Sequence, residues 1–372
     1  MTPRERMKTA MDLGIPDRVP VMCQLSVGHM ILQLGVSPVE FWYDGDIFAV
    51  GLIRLREIYH FDGILVSLHG HDPNWREKIR SREKTSDGEI VTLADGSRMI
   101  HPPNDLPRPS TPSRKDPAAL HDPVLPTNLD YIPVSQGLRF LINTTTRFDI
   151  FKTIRQKAGS EFSIHGEVTS PFDYYLDLVG HEQGLVGLLE SPDRAVQILS
   201  HYGHLVSRLA SEMCDAGVDA IKISSPFAGA SFISPEMYRT FVIPCEAEIA
   251  KAVRQKNVHV YLHTCGSISD RLELMFASGV SGIECLDPPP LGNVELEEAK
   301  MRLRGRGFIK GNIDSVNTLL AKGSVEILAD ARKRIEIGKQ HGGYILSTAC
   351  SVAPGVERGK LRLLREAVEL WG

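Results

Sequence analysis

The sequence lacks any run of about 18 apolar residues, so no segment reads as a bilayer-spanning helix. Its opening, MTPRERMKTAMDLGIPDRVPV, is charged and has no continuous apolar core of signal-peptide length. Cysteine is scarce: Cys23, Cys214, Cys245, Cys265, Cys285 and Cys350 are too scattered over 372 residues to form a disulfide scaffold. The expectation is a cytoplasmic protein with reduced thiols, some able to bind metal. No dense lysine and arginine patch accompanies the formal net charge of −4, so neither nucleic acid nor a membrane is an expected partner. No Gly-x-Gly-x-x-Gly turn follows the first apolar run, which counts against an open dinucleotide-binding sheet.

What is present is a regular beat of apolar runs separated by amphipathic stretches. The runs are 18–24, 61–68, 161–168, 219–227, 258–265, 281–287, 307–314 and 343–350. Near-continuous apolar strands alternating with helices indicate a parallel sheet covered on its outside. Ser191-Pro192-Asp193 and Ser234-Pro235-Glu236 read as helix starts, and Pro244 as a kink. Eight such units predict an α/β fold, a (β/α)8 TIM barrel forming one domain over 1–372. Residues 71–135 are read as an insertion between the second and third strands. It holds a hairpin at 88–100 with an Asp-Gly turn, then a proline-rich flap at 102–126.

Barrel active sites gather at the C-terminal strand ends. There the runs carry Glu167, Ser224, Ser225, His263, Cys265, Glu284, Cys285, Asn312, Asp314 and Cys350. A His-x-Cys pair is weak alone, because cysteine is often just a small buried hydrophobe. His263 and Cys265, however, share one side of the fifth run, and the eighth run brings Cys350 to the same rim. One imidazole and two thiolates suit zinc, and three protein ligands leave a position open for substrate. Cys23 and Cys285 are alternative ligands ranked lower for want of a paired histidine. Cys214 and Cys245 fall on helices and read as packing.

The carriers of a family resemblance are His263-Thr264-Cys265-Gly266, Lys310-Gly311-Asn312-Ile313-Asp314, Ser234-Pro235-Glu236-Met237-Tyr238 and Ala349-Cys350-Ser351-Val352-Ala353-Pro354-Gly355. With them the sequence resembles the uroporphyrinogen decarboxylase superfamily, and its His-x-Cys…Cys set is similar to that of the zinc-dependent, corrinoid-linked methyltransferases. The decarboxylase features are absent. No arginine follows the first run, Phe-Ser-Asp does not follow the second, and Asp62 lies at the opposite end of that strand. A polycarboxylate substrate would lack cations to compensate its desolvation.

The resemblance implies methyl transfer from a methoxylated, aromatic or other small donor to the Co(I) of a corrinoid (cobalamin). No Asp-x-His-x-x-Gly motif is present, so the corrinoid is expected on a separate protein. The reverse reaction, from methylcobalt to a thiol, is the alternative, and decarboxylation ranks below both. A non-catalytic zinc-binding or corrinoid-sensing protein is a further class. Trp42, Trp75, Phe172, Tyr174 and Tyr175 are candidate walls of an aryl pocket, each with ordinary packing as the competing reading. His69, beside His71, and Asn312 are candidate substrate contacts, with Asn312 and Asp314 also ending a strand and capping a helix. Glu167 and Glu284 are candidates for a fourth zinc ligand or a proton source to the leaving oxygen. A homodimer is one assembly the sequence leaves open.

Overall fold

Seven of the apolar runs form parallel strands in the computed structural model, which describes residues 1–111, 123–134 and 137–372. They are β1 (Gly63–Val66), β2 (Ser163–Thr169), β3 (Ala220–Ser224), β4 (His259–Thr264), β5 (Gly282–Cys285), β6 (Phe308–Ile313) and β7 (Tyr344–Thr348). They pair in sequence order in one curled sheet wrapped by helices, consistent with a TIM-like barrel. Alternation sorts the side chains. Along β4, Val260 and Leu262 join the core between sheet and helices, whereas Tyr261 packs with Met22, Ala220, Phe308 and Ile345. The helix Pro3–Met11 adds Met7, Ala10 and Met11 to that second group and plugs the N-terminal end of the sheet. The opposite end is left for chemistry.

The first run, 18–24, does not become a ladder strand. Val21 forms a single parallel bridge to Leu346 of β7, and Leu25 another to Val352. On the other side, Asp62 N–H donates to Val21 O at 2.8 Å. Two local facts explain the interruption. Pro20 has no N–H to donate. The Val21 N–H is captured by the Asp62 carboxylate at 2.9 Å instead of by backbone. The segment thus spans the gap between β7 and β1 by point contacts.

Asp62 is buried and also accepts from Arg6 Nη1 at 2.7 Å and Arg18 Nη2 at 2.8 Å. The same device recurs one residue before β3. There Asp219 accepts the Ile164 N–H at 2.8 Å and binds Arg4 and Arg155. Each carboxylate replaces a missing ladder bond and ties an outer element to the strand starts. This is why Asp62 has no part in the opposite rim.

Among the helix starts, Ser234 accepts the Met237 N–H at 3.1 Å, but Ser191 makes no side-chain cap. Pro244 is the second residue of the helix Ile243–Arg254, preceded by a π-helical turn at Tyr238–Val242. Among the described residues between β1 and β2 lie four antiparallel strands, Ile79–Thr85, Gly88–Leu93, Arg98–His101 and Arg108–Pro109, and a separate pair, Tyr131–Val134 with Leu138–Leu141. Residues 112–122 of the proline-rich stretch lie outside the described residues. No helix among the described residues is long and apolar enough to cross a membrane.

Asp62→Asn leaves two guanidinium groups facing an uncharged amide. The expected cost is about 3 kcal/mol of stability, read as a lower urea midpoint at unchanged slope. A midpoint equal to the parent's would show that the closure does not depend on this ion cluster.

Candidate metal centre

Strand register assembles the rim. Adjacent parallel strands set His263 beside Glu284, Glu284 beside Lys310, and Glu167 beside Lys222. His263 Nδ1 lies 2.8 Å from Glu284 Oε2, and Lys310 Nζ bonds the other Glu284 oxygen. Lys222 Nζ sits 2.8 Å from Glu167 Oε1 and 3.7 Å from Glu284 Oε2. Burial opposes ionisation of Glu284, but Lys310 and Lys222 prevail and hold it well below the usual carboxylate range. Glu167 is likewise lowered against burial by Lys222 and Ser67, whose hydroxyl donates to Oε2 at 2.7 Å.

Both glutamates are therefore anions at neutral pH and have no proton to give, contrary to the proton-source expectation. Both Glu284 oxygens are also already engaged. Glu284 accepts from His263 Nδ1 and so turns Nε2 toward the sulfurs; against burial and Lys222, the Cys265 and Cys350 side chains hold the imidazole well above its ordinary value.

His263 Nε2 lies 3.3 Å from Cys265 Sγ, and Cys265 Sγ lies 3.8 Å from Cys350 Sγ. Cys285 joins them: the ligand atoms of His263, Cys265 and Cys285 all lie within 4.8 Å of one another. Hydrogen bonds from Cys265 and Cys285, and the facing His263 ring, pull the Cys350 thiol far below its ordinary value. Burial pushes the Cys285 thiol up.

Cys285 was undervalued in the sequence for a structural reason. Alternation along β5 turns Cys285 away if Glu284 faces the site. Instead, Cys285 and Leu286 adopt φ of 83° and 55°, a left-handed turn rare outside glycine that breaks the alternation. Asn312 braces this turn: its Nδ2 donates to Leu286 O at 2.8 Å, and Arg334 holds its Oδ1. One imidazole nitrogen with sulfur neighbours is a donor set that fits zinc.

A cavity of about 400 Å³ opens at the same strand ends; Ser351, next to Cys350, lines it, whereas His263, Cys265, Cys285 and Cys350 do not. Glu167, Ser224 and His69 also line it, and Ile132 and Phe140 of the inserted pair contribute apolar wall. Trp42 stacks on His69 with ring centroids 4.2 Å apart, so it supports the wall from behind. Burial lowers His69 to about 4 and His71 to about 3, making both neutral imidazoles.

The other aromatic candidates lie elsewhere. Phe172 is core, Tyr174 donates its hydroxyl to Tyr131 O, and Tyr175 donates to Gly184 O. Trp75 stacks on Tyr43 and packs with Val91. Asn312 is likewise absent from the cavity lining, and Asp314 caps the following turn through the Val316 and Asn317 N–H groups. Cys214 and Cys245 are buried in helices, and Cys23 lines the cavity and is not part of the His263–Cys265–Cys285 group.

A family model described as uroporphyrinogen decarboxylase (URO-D) matches residues 102–371. The chain belongs to the uroporphyrinogen decarboxylase family. Within that family its relatives include a "Methylcobamide:CoM methyltransferase MtaA" of Methanosarcina barkeri, 27% identical over 62% of this chain and 64% of the relative. That match spans less than two thirds of the relative's length. A "Methylcobamide:CoM methyltransferase MtbA" of Methanosarcina mazei is 22% identical over 99% of this chain and 98% of its own. A "Uroporphyrinogen decarboxylase" of Mycobacterium sp. (strain KMS) is 25% identical over 48% and 50%. In fold, the chain superposes on a solved "methyltransferase from Methanosarcina mazei" with a TM-score of 0.77, at 21% identity and 100% and 99% coverage.

Metal-free protein treated with iodoacetamide at pH 6 is expected to be alkylated at Cys350, whose thiolate persists there and is partly exposed. Cys214 and Cys245, raised by burial to about 12, stay unmodified. Peptide mass mapping reads the result, and equal labelling of all cysteines would contradict the arrangement described.

Proposed function

We propose that the protein is a corrinoid-dependent methyltransferase. It takes methyl from a small uncharged donor, a methoxylated arene foremost, and passes it to the Co(I) of a separate corrinoid protein. The observation that carries this reading is the imidazole–thiol cluster at the strand ends, which also open onto a cavity of mixed polar and apolar lining. His263, Cys265 and Cys350 are the residues that would hold zinc, with Cys285 near enough to add a further sulfur. When bound, zinc supplies a Lewis acid that stabilises the charge growing on the oxygen as methyl departs.

The chain's own groups set the conditions for that chemistry. Glu284 orients His263, and the two lysines keep Glu284 charged although it is buried. The walls formed by Leu25, Ile132, Val134 and Phe140 exclude water from the donor. Arg56 is the one cation lining the cavity among the described residues. It is committed to Phe61 O at 2.8 Å and to Glu161 at 3.4 Å. A neutral donor suits such a cavity, and a polycarboxylate does not. Ile132 and Phe140 of the inserted pair, at its edge, support reading 1–372 as one (β/α)8 domain with 71–135 as an insertion within it.

Transfer from methylcobalt to a thiol is the second reading, favoured by the relatives named as methylcobamide:CoM methyltransferases. The two are separated by mixing the protein with Co(I) corrinoid and a panel of methoxyarenes, methanol and methylamines, then recording methyl-Co(III) absorbance. Conversion with a methoxyarene is the expected result. No conversion across the panel, with thiols demethylating methyl-Co(III) instead, reverses the direction. Purified protein should carry about one zinc, and Glu284→Gln should weaken its retention by roughly 10- to 100-fold. Zinc content below about half an equivalent, or unchanged in Cys350→Ser, removes the metal from the proposal.

A further inference from the structure

Loss of methyl from an ether leaves an oxyanion that must acquire a proton, and Glu284 and Glu167 are each already engaged by a lysine, Lys310 and Lys222. Among the described residues, the carboxyls lining the cavity are Asp105, Glu167 and Asp173. Asp105 is exposed and Glu167 is paired with Lys222. Asp173 is different. It is buried in the first turn of the helix Pro171–Val179, with no cation beside it.

An ordinary reason for a Ser-x-x-Asp start would be a capping box, in which the aspartate accepts the N–H of the capping serine. Ser170 does cap, accepting the Phe172 N–H at 3.1 Å. Its own N–H, however, donates to Ser224 O at 2.8 Å. The Asp173 carboxyl is therefore not consumed by capping.

Asp173 instead heads a buried polar chain. Ser170 Oγ bonds Asp173 Oδ2 at 3.0 Å, and Ser225 Oγ bonds Ser170 Oγ at 3.1 Å. The Ser225 hydroxyl also faces the Glu246 carboxyl, which accepts from Tyr238 OH at 2.6 Å. Glu246 Oε1 is buried without a hydrogen-bond partner. Arg271, facing the Tyr238 ring at 5.6 Å, directs its Nη1 and Nη2 to Ala228 O and Ile233 O and pairs with Asp270. It does not neutralise the carboxyls. Burial pushes both Asp173 and Glu246 up to about 8, so each carries its proton at neutral pH.

We infer that Asp173 is the general acid of the demethylation, held in place by the Ser170–Ser225 hydroxyl chain. This rests on the donor-to-corrinoid direction proposed above. In the step, the Co(I) electron pair forms the Co–CH3 bond as the CH3–O bond breaks and its pair stays on oxygen. As that charge develops, the Asp173 O–H proton moves to the oxygen in the same step, giving a neutral alcohol or phenol and the Asp173 carboxylate. The Asp173 carboxylate then takes its proton back from solvent entering the cavity that it lines.

The test is a series of anisoles whose phenol leaving groups range from basic to strongly acidic, with methyl-Co(III) formation as the readout. Asp173→Asn should lose about 100-fold in rate with donors that leave as basic phenolates. A nitro-substituted anisole, whose phenolate departs unprotonated, should be largely spared. Equal loss across the series overturns the inference, because a packing defect has no leaving-group preference. Should Asp173→Asn not fold, the unmodified protein still decides. A solvent deuterium isotope effect should appear with basic leaving groups and vanish with the nitro compound, and an effect independent of donor overturns the assignment. Unmodified protein that demethylates no donor defeats the direction of transfer itself, a separate result from either of these.

Discussion

The buried Glu284 carboxylate is the constraint around which the rim is built. Alone in the sheet interior it would be expelled or protonated at a cost of several kcal/mol. It is retained because Lys310 and Lys222 face it from neighbouring strands and His263 donates to it. Each of these groups is itself untenable without the others: both lysines are fully buried. The network therefore fixes strand register as much as it follows from it. A slip of β5 by one residue would strand several charges at once, a larger penalty than any single apolar contact could offset. The rim is consequently stiff where His263 emerges, and a stiff imidazole is what a metal site requires.

Much of this was legible in the sequence because it follows from periodicity. The strand positions, the convergence of His263, Cys265 and Cys350, and the packing roles of Cys214 and Cys245 all come from alternation and from parallel strands ending at one rim. What was not legible came from departures from alternation or from partners distant in sequence. Cys285 enters the cluster through a left-handed turn that no propensity announces. The segment 18–24 has a strand's composition but loses its ladder to Pro20 and to a carboxylate 41 residues away.

The aromatic residues show the weakness of composition as a guide to pockets. Trp42, Phe172 and Tyr174 looked alike along the chain. Only contacts separate Trp42, stacked behind a cavity histidine, from a tyrosine whose hydroxyl is spent on a backbone carbonyl. Charge state was also hidden. Glu167 and Asp173 are six residues apart and line one cavity, yet a lysine holds the first ionised while burial keeps the second neutral.

The seam at 18–24 has a mechanical consequence. β7 is one edge of the sheet and β4 its middle strand, and the bridges across the seam are isolated rather than continuous. Cys350 hangs from the edge strand, while Cys265 and His263 hang from the middle one. An ion gripped by all three would act as a rivet across the chord of the curled sheet, fastening its least supported margin to its most supported strand. Losing the ion would then loosen the seam before the rest of the sheet, so the grip on the metal and the closure of the fold would fail together.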